Sequence, residues 1–143
     1  MNGPRIIDAG PVLNFFSTSR ERLLFSVLGR ISAPEIVEEE VLRKADTDPR
    51  FAPAGRVWGR AKKSLISILP DATTHELSRV VQRITDLPLD ERRKNRKDLG
   101  ETMVIAHAIV IAESGLDVVV IMDEGNGVRQ ATLEAGRLVT VMK

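Results

Sequence analysis

Two acidic residues in this chain directly follow short apolar segments that are typical of buried β-strands. Asp8 comes after Ile6 and Ile7, and Asp123 comes after the aliphatic segment 116–122. An ionised carboxylate beside a buried strand loses hydration, so packing alone does not favour an acid at either position. In a parallel sheet, binding and catalytic groups lie outside the carboxyl ends of the strands. The pattern predicts a shared acidic site, although either residue taken alone also fits a helix N-cap or a loop carboxylate.

Two further acidic positions fall on predicted helices. Glu40 ends a run of three glutamates, and because neighbouring helical residues point in different directions, these three cannot all face one cleft. Asp98 and Glu101 are three residues apart, so they share one face at the amino-terminal end of a helix. Helices at these positions could bring acids to the same edge as Asp8 and Asp123.

A cluster of carboxylates without cysteine or a suitable histidine indicates a hard cation. The chain has no cysteine and two histidines, and we interpret both His75 and His107 as ordinary helix residues. Mg²⁺ or Mn²⁺ takes oxygen ligands and keeps waters that a substrate phosphate can replace. The matching chemistry is metal-assisted hydrolysis of a phosphodiester, in which the ion activates water and stabilises charge on the reacting oxygens.

A nearly balanced net charge of +1 hides two basic segments. Residues 49–70 contain five basic side chains and no acid, and a second basic cluster occupies residues 92–97. Such segments beside an acidic cleft would hold a polyanionic backbone such as that of RNA. The RNA-binding candidates are the basic members of the second cluster: Arg92, Arg93, Lys94, Arg96 and Lys97. The alternative is that these charge runs are solvated helix faces.

Strands and helices are predicted to alternate along the chain. The predicted strands are 5–8, 29–33, 64–69, 116–122 and 138–141. The predicted helices are 11–16, 19–28 with Ser19 as its cap, one opened by Pro34, one capped by Thr73 or Thr74, 98–114 and 126–135. Residues 46–59 give no clear prediction. The alternation favours an α/β fold around a mainly parallel sheet.

The composition bounds the fold and excludes several classes of protein. With 143 residues and 43% hydrophobic content, the chain is the size of one domain with a real core, and we assign 1–143 to a single domain. Aromatic residues make up only 3%, so we expect an aliphatic core and no aromatic stacking platform for single strands. The longest apolar stretch, 103–112, is too short to span a bilayer, and the amino terminus carries no export signal. We expect a cytoplasmic protein without membrane association.

Four segments contain the candidate acids in a recognisable order. They are 6–13 with Asp8, 31–41 with Glu40, 99–108 with Glu101, and 120–124 with Asp123, the last followed by Arg129 and Ala131. In this order and spacing they resemble the PIN domain, the ribonuclease family that includes the toxins of VapBC-type toxin–antitoxin pairs. The resemblance spans about residues 5–141. One departure is Gly10, where relatives often carry Ser or Thr; another is Glu101, where many carry Asp.

The resemblance implies a three-layer α/β/α sandwich with the acids meeting at the carboxyl edge of the sheet. It implies an endoribonuclease that depends on Mg²⁺ or Mn²⁺, acts as a toxin, is neutralised by a small antitoxin protein and forms a homodimer. The catalytic acids and metal ligands would be Asp8, Glu40, Glu101 and Asp123, with Asp98 as an alternative third ligand.

Two other functions fit part of the pattern. An α/β phosphotransfer domain of the receiver or haloacid-dehalogenase type also uses an acid after its first strand. Asp8 lacks the second nearby acid of such domains. A non-catalytic PIN-like RNA-binding module with a vestigial metal site is the other alternative, and the presence of all four acids argues against it.

Overall fold

The computed structural model describes residues 3–123 and 139–142, which form a parallel β-sheet covered by helices. The strands are β1 (Arg5–Ile7), β2 (Ile31–Pro34), β3 (Ile66–Leu69), β4 (Val118–Ile121) and β5 (Val139–Met142). They lie in the order β3-β2-β1-β4-β5, and every neighbouring pair is parallel. The predicted α/β fold around a mainly parallel sheet is confirmed.

Helices connect the strands and cover both faces of the sheet. They are α1 (Ala9–Ser17), α2 (Glu21–Leu28), α3 (Glu35–Thr47), α4 (Ala52–Ala61), α5 (His75–Thr85), α6 (Leu89–Arg92) and α7 (Leu99–Glu113). Helices α1, α3 and α4 pack against one another, whereas α7 packs against α5 and the central strands. Right-handed crossovers put the connections from β1 to β3 on one face and the connection from β3 to β4 on the other. The predicted three-layer α/β/α sandwich is therefore confirmed.

The core is aliphatic, as the composition predicted. Ile6 and Ile7 of β1 and Val120 of β4 are completely buried between the helical layers. Helix α7 is apolar around most of its circumference, which is the pattern of a helix enclosed on several sides. Its residues Val104 and Ala106 have no exposed surface. This buried helix supports the edge of the sheet at which the candidate acids lie.

The segment 46–59, for which the sequence provided no clear prediction, contains most of α4. Trp58 of this helix is 1% exposed and packs beside Phe16 of α1, with ring centroids 6.3 Å apart. Its indole N–H donates to a carboxylate oxygen of Glu38 in α3 over 2.8 Å. A buried indole N–H requires an acceptor, so this hydrogen bond fixes the position of α4 against α3.

The predicted strands and helices on described residues begin and end within about two residues of the observed ones. The Thr74 hydroxyl caps α5 by accepting from the backbone N–H of Leu77 over 3.1 Å, as predicted. The predicted cap of α2 is wrong, because Ser19 has a left-handed backbone (φ 60°) and Arg20 directly precedes the helix. The helix predicted over 126–135 lies outside the described residues. Within the described ranges, no helix is long and apolar enough to cross a membrane.

Candidate active site

Asp8 and Asp123 lie at the same edge of the sheet. Strands β1 and β4 are neighbours, and Ile7 is paired with Ile121. The backbone N–H of Asp8 donates to the Ile121 carbonyl over 2.9 Å, and Asp123 follows two residues later. The strand order turns at this point, because the chain moves from β1 first to β2 and later to β4 on the opposite side. Open α/β sheets form their binding crevice at such a switch point.

The side chain of Asp8 both caps α1 and belongs to an acidic cluster. Its Oδ1 accepts from the backbone N–H of Ala9 over 2.8 Å. Burial raises the pKa of Asp8 to about 6, against the opposing effect of the Ala9 hydrogen bond. The negative charges of Glu40, Glu101 and Asp123 contribute to this rise, each with a smaller effect than burial. Asp8 therefore caps α1 and also feels the charges of three other carboxylates.

Gly100 is the point at which two of these carboxylates meet α7. A Cβ atom placed on Gly100 would lie 3.1 Å from Oε1 of Glu40 and 3.5 Å from Oδ1 of Asp8. Because glycine has no side chain, the first turn of α7 can approach both carboxylates closely. The third acid, Glu101, is the next residue on the same turn.

Gly10 gives Asp123 its place against α1. A Cβ atom on Gly10 would lie 2.2 Å from Oδ2 of Asp123, which is far inside van der Waals contact. A Ser or Thr at this position would therefore require the Asp123 carboxylate to move. The space that a side chain at position 10 would fill is occupied instead by the carboxylate of Asp123, which follows β4.

Of the two candidates for the third acid, the structure brings only Glu101 into the cluster. Glu101 is half-buried, and its charge acts on Asp8. Asp98 is exposed, precedes α7 with a left-handed backbone (φ 55°), and is not among the charges that act on Asp8. Because of this left-handed backbone, Asp98 does not lie on the helical face that its three-residue spacing from Glu101 predicted.

The three neighbouring glutamates diverge, as predicted. Glu38 accepts from the Trp58 indole and pairs with Lys62 over 2.8 Å, which makes it a structural residue of the α3–α4 contact. Glu40 turns toward Gly100 and lies 3.9 Å from Lys44. Only Glu40 of this run joins the cluster around Asp8.

The donor set suits a hard cation in chemistry, since all four groups are carboxylates. Within residues 3–123, no three acidic or imidazole side chains yet stand in an arrangement that could hold a metal ion. The residues that would contribute oxygen ligands beside Asp8 are Glu40, Glu101 and Asp123, whose charges all act on it. Burial first, and then the neighbouring negative charges, raise the pKa of Asp8, and a bound cation would favour the ionised form that both disfavour.

The basic segment before α7 divides into a structural residue and surface residues. Arg92 is buried, and its guanidinium donates to the carbonyls of Asn95 (2.5 Å) and Lys97 (2.8 Å) and to the Thr102 hydroxyl (3.2 Å). The prediction that Arg92 contacts RNA is therefore wrong, because its donors hold the loop together. The other candidates stay predictions: Arg93 is half-buried, and Lys94, Arg96 and Lys97 are exposed.

A buried carboxylate–imidazole pair lies near the cluster and was not predicted. His107 of α7 contacts Oδ1 of Asp71 through Nε2 over 2.6 Å, and both side chains are nearly buried. Oδ2 of Asp71 accepts from the backbone N–H of Ile36 over 2.8 Å and so caps α3. The backbone N–H of Asp71 donates in turn to Glu35 over 2.7 Å. His107 is thus a contact between α7 and the start of α3, not an ordinary helix residue.

Comparison with known proteins adds no relative to this picture. The chain matches no protein-family model, and no curated protein matches it.

Proposed function

We propose that this chain is a divalent-metal-dependent endoribonuclease with a PIN-like site. The observation that carries the proposal is the convergence of Asp8, Glu40, Glu101 and Asp123 at the switch point of a parallel sheet. Asp8 also caps α1, but Asn would cap the helix about as well without adding a charge to the cluster. Four acids around one half-buried position raise the free energy of the folded state unless a cation offsets them.

Mg²⁺ or Mn²⁺, when bound, would activate water and stabilise the charge that develops on a phosphodiester. The residues that would hold it are Asp8, Glu40, Glu101 and Asp123. The Ala9 N–H fixes the orientation of Asp8 before any ligand arrives, because it holds Oδ1. Gly100 keeps the space beside Asp8 free of a side chain, so Glu40 can turn toward the same point.

The surface beside the site supports a polyanionic substrate. Arg96 and Lys97 are exposed in the loop that leads directly into α7, whose first turn carries Glu101. Arg92 holds this loop in shape through its three hydrogen bonds, so the exposed cations are presented at the mouth of the acidic crevice. Contacts of this kind bind the phosphate backbone irrespective of sequence.

The wider biological setting is part of the same proposal. We place the activity in the cytoplasm, in a homodimeric toxin that a small antitoxin protein neutralises. The support is the order of the four acidic motifs along the chain. Co-expression with the product of the gene directly upstream tests this setting, and growth arrest that this product does not relieve would contradict it.

The activity is tested by cleavage of labelled RNA with Mn²⁺ or Mg²⁺ and with EDTA. Glu101→Gln should lose at least about 100-fold in rate, since even groups that only orient metal ligands contribute about 10–100-fold. Asp98→Asn is the matched control, because it neutralises an exposed acid three residues away on the same segment. Full cleavage in EDTA, or equal rates for the two folded variants, would refute the proposal.

A further inference from the structure

A cleft of about 520 Å³ lies beside the carboxylate cluster, between α3, α7 and the loop before α7. This volume is within the range of about 300–1,000 Å³ that is usual for small-molecule sites. Its apolar surface comes from Ile36, Leu99 and Met103, all of which are largely buried. Leu99 lines the cleft, whereas the next residue, Gly100, supports the carboxylate cluster, so the two sites share a helix turn.

Acidic side chains from α3 and from the end of β3 line the cleft, and most of them are already engaged. Glu35 accepts from the backbone of Asp71, Asp71 caps α3, and Glu38 binds the Trp58 indole. Glu39 is different. It also lines the cleft, it is exposed, and no hydrogen bond or ion pair engages its side chain within the part of the chain that the structure describes. Glu39 is therefore a carboxylate acceptor available to a ligand.

Arginine side chains from the loop before α7 line the same cleft. Arg93 makes one long hydrogen bond, 3.4 Å from Nη1 to the Thr73 hydroxyl. Its Nη2 is enclosed and has no acceptor among the described residues. A ligand reaches this N–H only when the Arg93 side chain turns toward the cleft, and a hydrogen bond to an anion would then remove the free-energy cost of the missing acceptor. Arg96 adds a second, exposed cation.

We propose that this cleft binds a guanine nucleotide. Resting on the ribonuclease function proposed above, we assign the cleft to a guanosine of the RNA substrate next to the cleaved bond. The ligand must combine an anionic group for Arg93 and Arg96, a flat apolar body for the surface of Leu99 and Met103, and hydrogen-bond donors for Glu39. A nucleotide provides the anionic phosphate and the flat base. The identity of the base decides whether it offers hydrogen-bond donors to Glu39.

Guanine is the base whose donors fit a carboxylate. An ionised carboxylate only accepts hydrogen bonds, through two adjacent oxygens. The N1–H and N2–H₂ groups of guanine are two adjacent donors on one edge. The corresponding edges of adenine, cytosine and uracil place an acceptor next to each donor, and that acceptor would face a carboxylate oxygen. Glu39 therefore selects guanine, while the arginines bind any nucleotide.

Calorimetric titration of the whole chain with 5′-GMP, AMP, CMP and UMP in EDTA tests the cleft without any cleavage. GMP should bind at least about tenfold more tightly than the others, as expected for one two-point contact to a base edge. Glu39→Gln should remove most of this preference, because an amide accepts at one atom only. Arg93→Met should weaken all four alike, since phosphate contacts carry no base information. Glu76→Gln makes the same acid-to-amide change on α5, outside the cleft, and should alter nothing.

Equal affinity for the four nucleotides, or a GMP preference that survives Glu39→Gln, would overturn the assignment. Cleavage of RNAs that differ only in guanine content separates this proposal from the ribonuclease proposal. Metal-dependent cleavage that ignores guanine would refute the guanine site and leave the ribonuclease standing. A GMP preference lost in Glu39→Gln, without cleavage of any RNA, would support the guanine site and refute the ribonuclease.

Discussion

Replacement of Asp8 by Asn removes a charge while keeping the side-chain shape and the oxygen that caps α1. Burial, joined by nearby negative charges, raises the pKa of Asp8 from its ordinary 3.8 to about 6 in the folded chain. Between these values the folded chain binds the proton more tightly than the unfolded chain does. The free energy of unfolding therefore falls as pH rises from about 4 to about 6, and it stays lower above that range.

The size of this effect follows from the pKa change. At about 1.4 kcal/mol per pKa unit, the rise corresponds to about 3 kcal/mol. Water reaches part of the carboxylate and screens it, which reduces the expected effect to about 2 kcal/mol. Asn caps a helix about as well as Asp. Asp8→Asn should therefore exceed the wild type in unfolding free energy by about 2 kcal/mol at about pH 7.5 and equal it at about pH 4.

Urea unfolding at a series of pH values measures this difference directly. Trp58 is the only tryptophan of the chain and is buried, so its fluorescence reports loss of the fold. Asp98→Asn is the control, because it neutralises an exposed acid outside the cluster and should show no pH-dependent gain. Mn²⁺ should stabilise the wild type at about pH 7.5 and stabilise Asp8→Asn less, since the variant lacks one ligand.

Two results would refute this reasoning. A gain of the same size at both ends of the pH range would mean that the amide stabilises the fold by something other than relief of charge. No gain in unfolding free energy at either end of the pH range would mean that neither burial nor the neighbouring charges disfavour the ionised form of Asp8.

Other changes test the remaining contacts. Gly10→Ala should lower RNA cleavage by about 10–100-fold with little change in melting temperature, because the new methyl group displaces the Asp123 carboxylate; unchanged rates would contradict the close approach. Trp58→Phe should lower the free energy of unfolding by about 1–2 kcal/mol in urea titrations followed by circular dichroism, since the hydrogen bond to Glu38 is lost, and no loss would show that this bond contributes nothing. Arg92→Lys should destabilise the fold by a similar amount and speed amide hydrogen exchange in residues 93–98, whereas unaltered exchange would show that the guanidinium does not hold the loop.

The sheet and two of its acids could be predicted because the signals are local. Short aliphatic segments alternating with helices predict a parallel sheet, and an acid after such a strand must lie at its carboxyl edge. Asp8 and Asp123 followed from this rule alone. The choice between Asp98 and Glu101 did not, because it depends on the left-handed backbone of Asp98, which residue spacing does not show. Arg92 was misjudged because neighbouring arginines look alike in a sequence, and only the fold decides which one is enclosed.

The contact between His107 and Asp71 was missed for a related reason. Residue spacing relates His107 only to the acids of its own helix, whereas its partner Asp71 lies 36 residues away in the chain. A signal was nevertheless present. Asp71 stands two residues after the end of β3, as Asp123 stands two residues after the end of β4. An acid that follows a parallel strand lies at the carboxyl edge of the sheet, and this holds for Asp71 as it does for Asp123.

The strand order has a consequence for the chain during its synthesis. Strand β1 sits between β2 and β4, so one side of it lacks a neighbour until β4 has been made. Asp123 is 115 residues beyond Asp8 (123 minus 8). At about 5–20 residues per second, a ribosome needs about 6–23 s to make this stretch. During that interval the growing chain carries Asp8 without Asp123, so the four acids come together only after synthesis has passed β4.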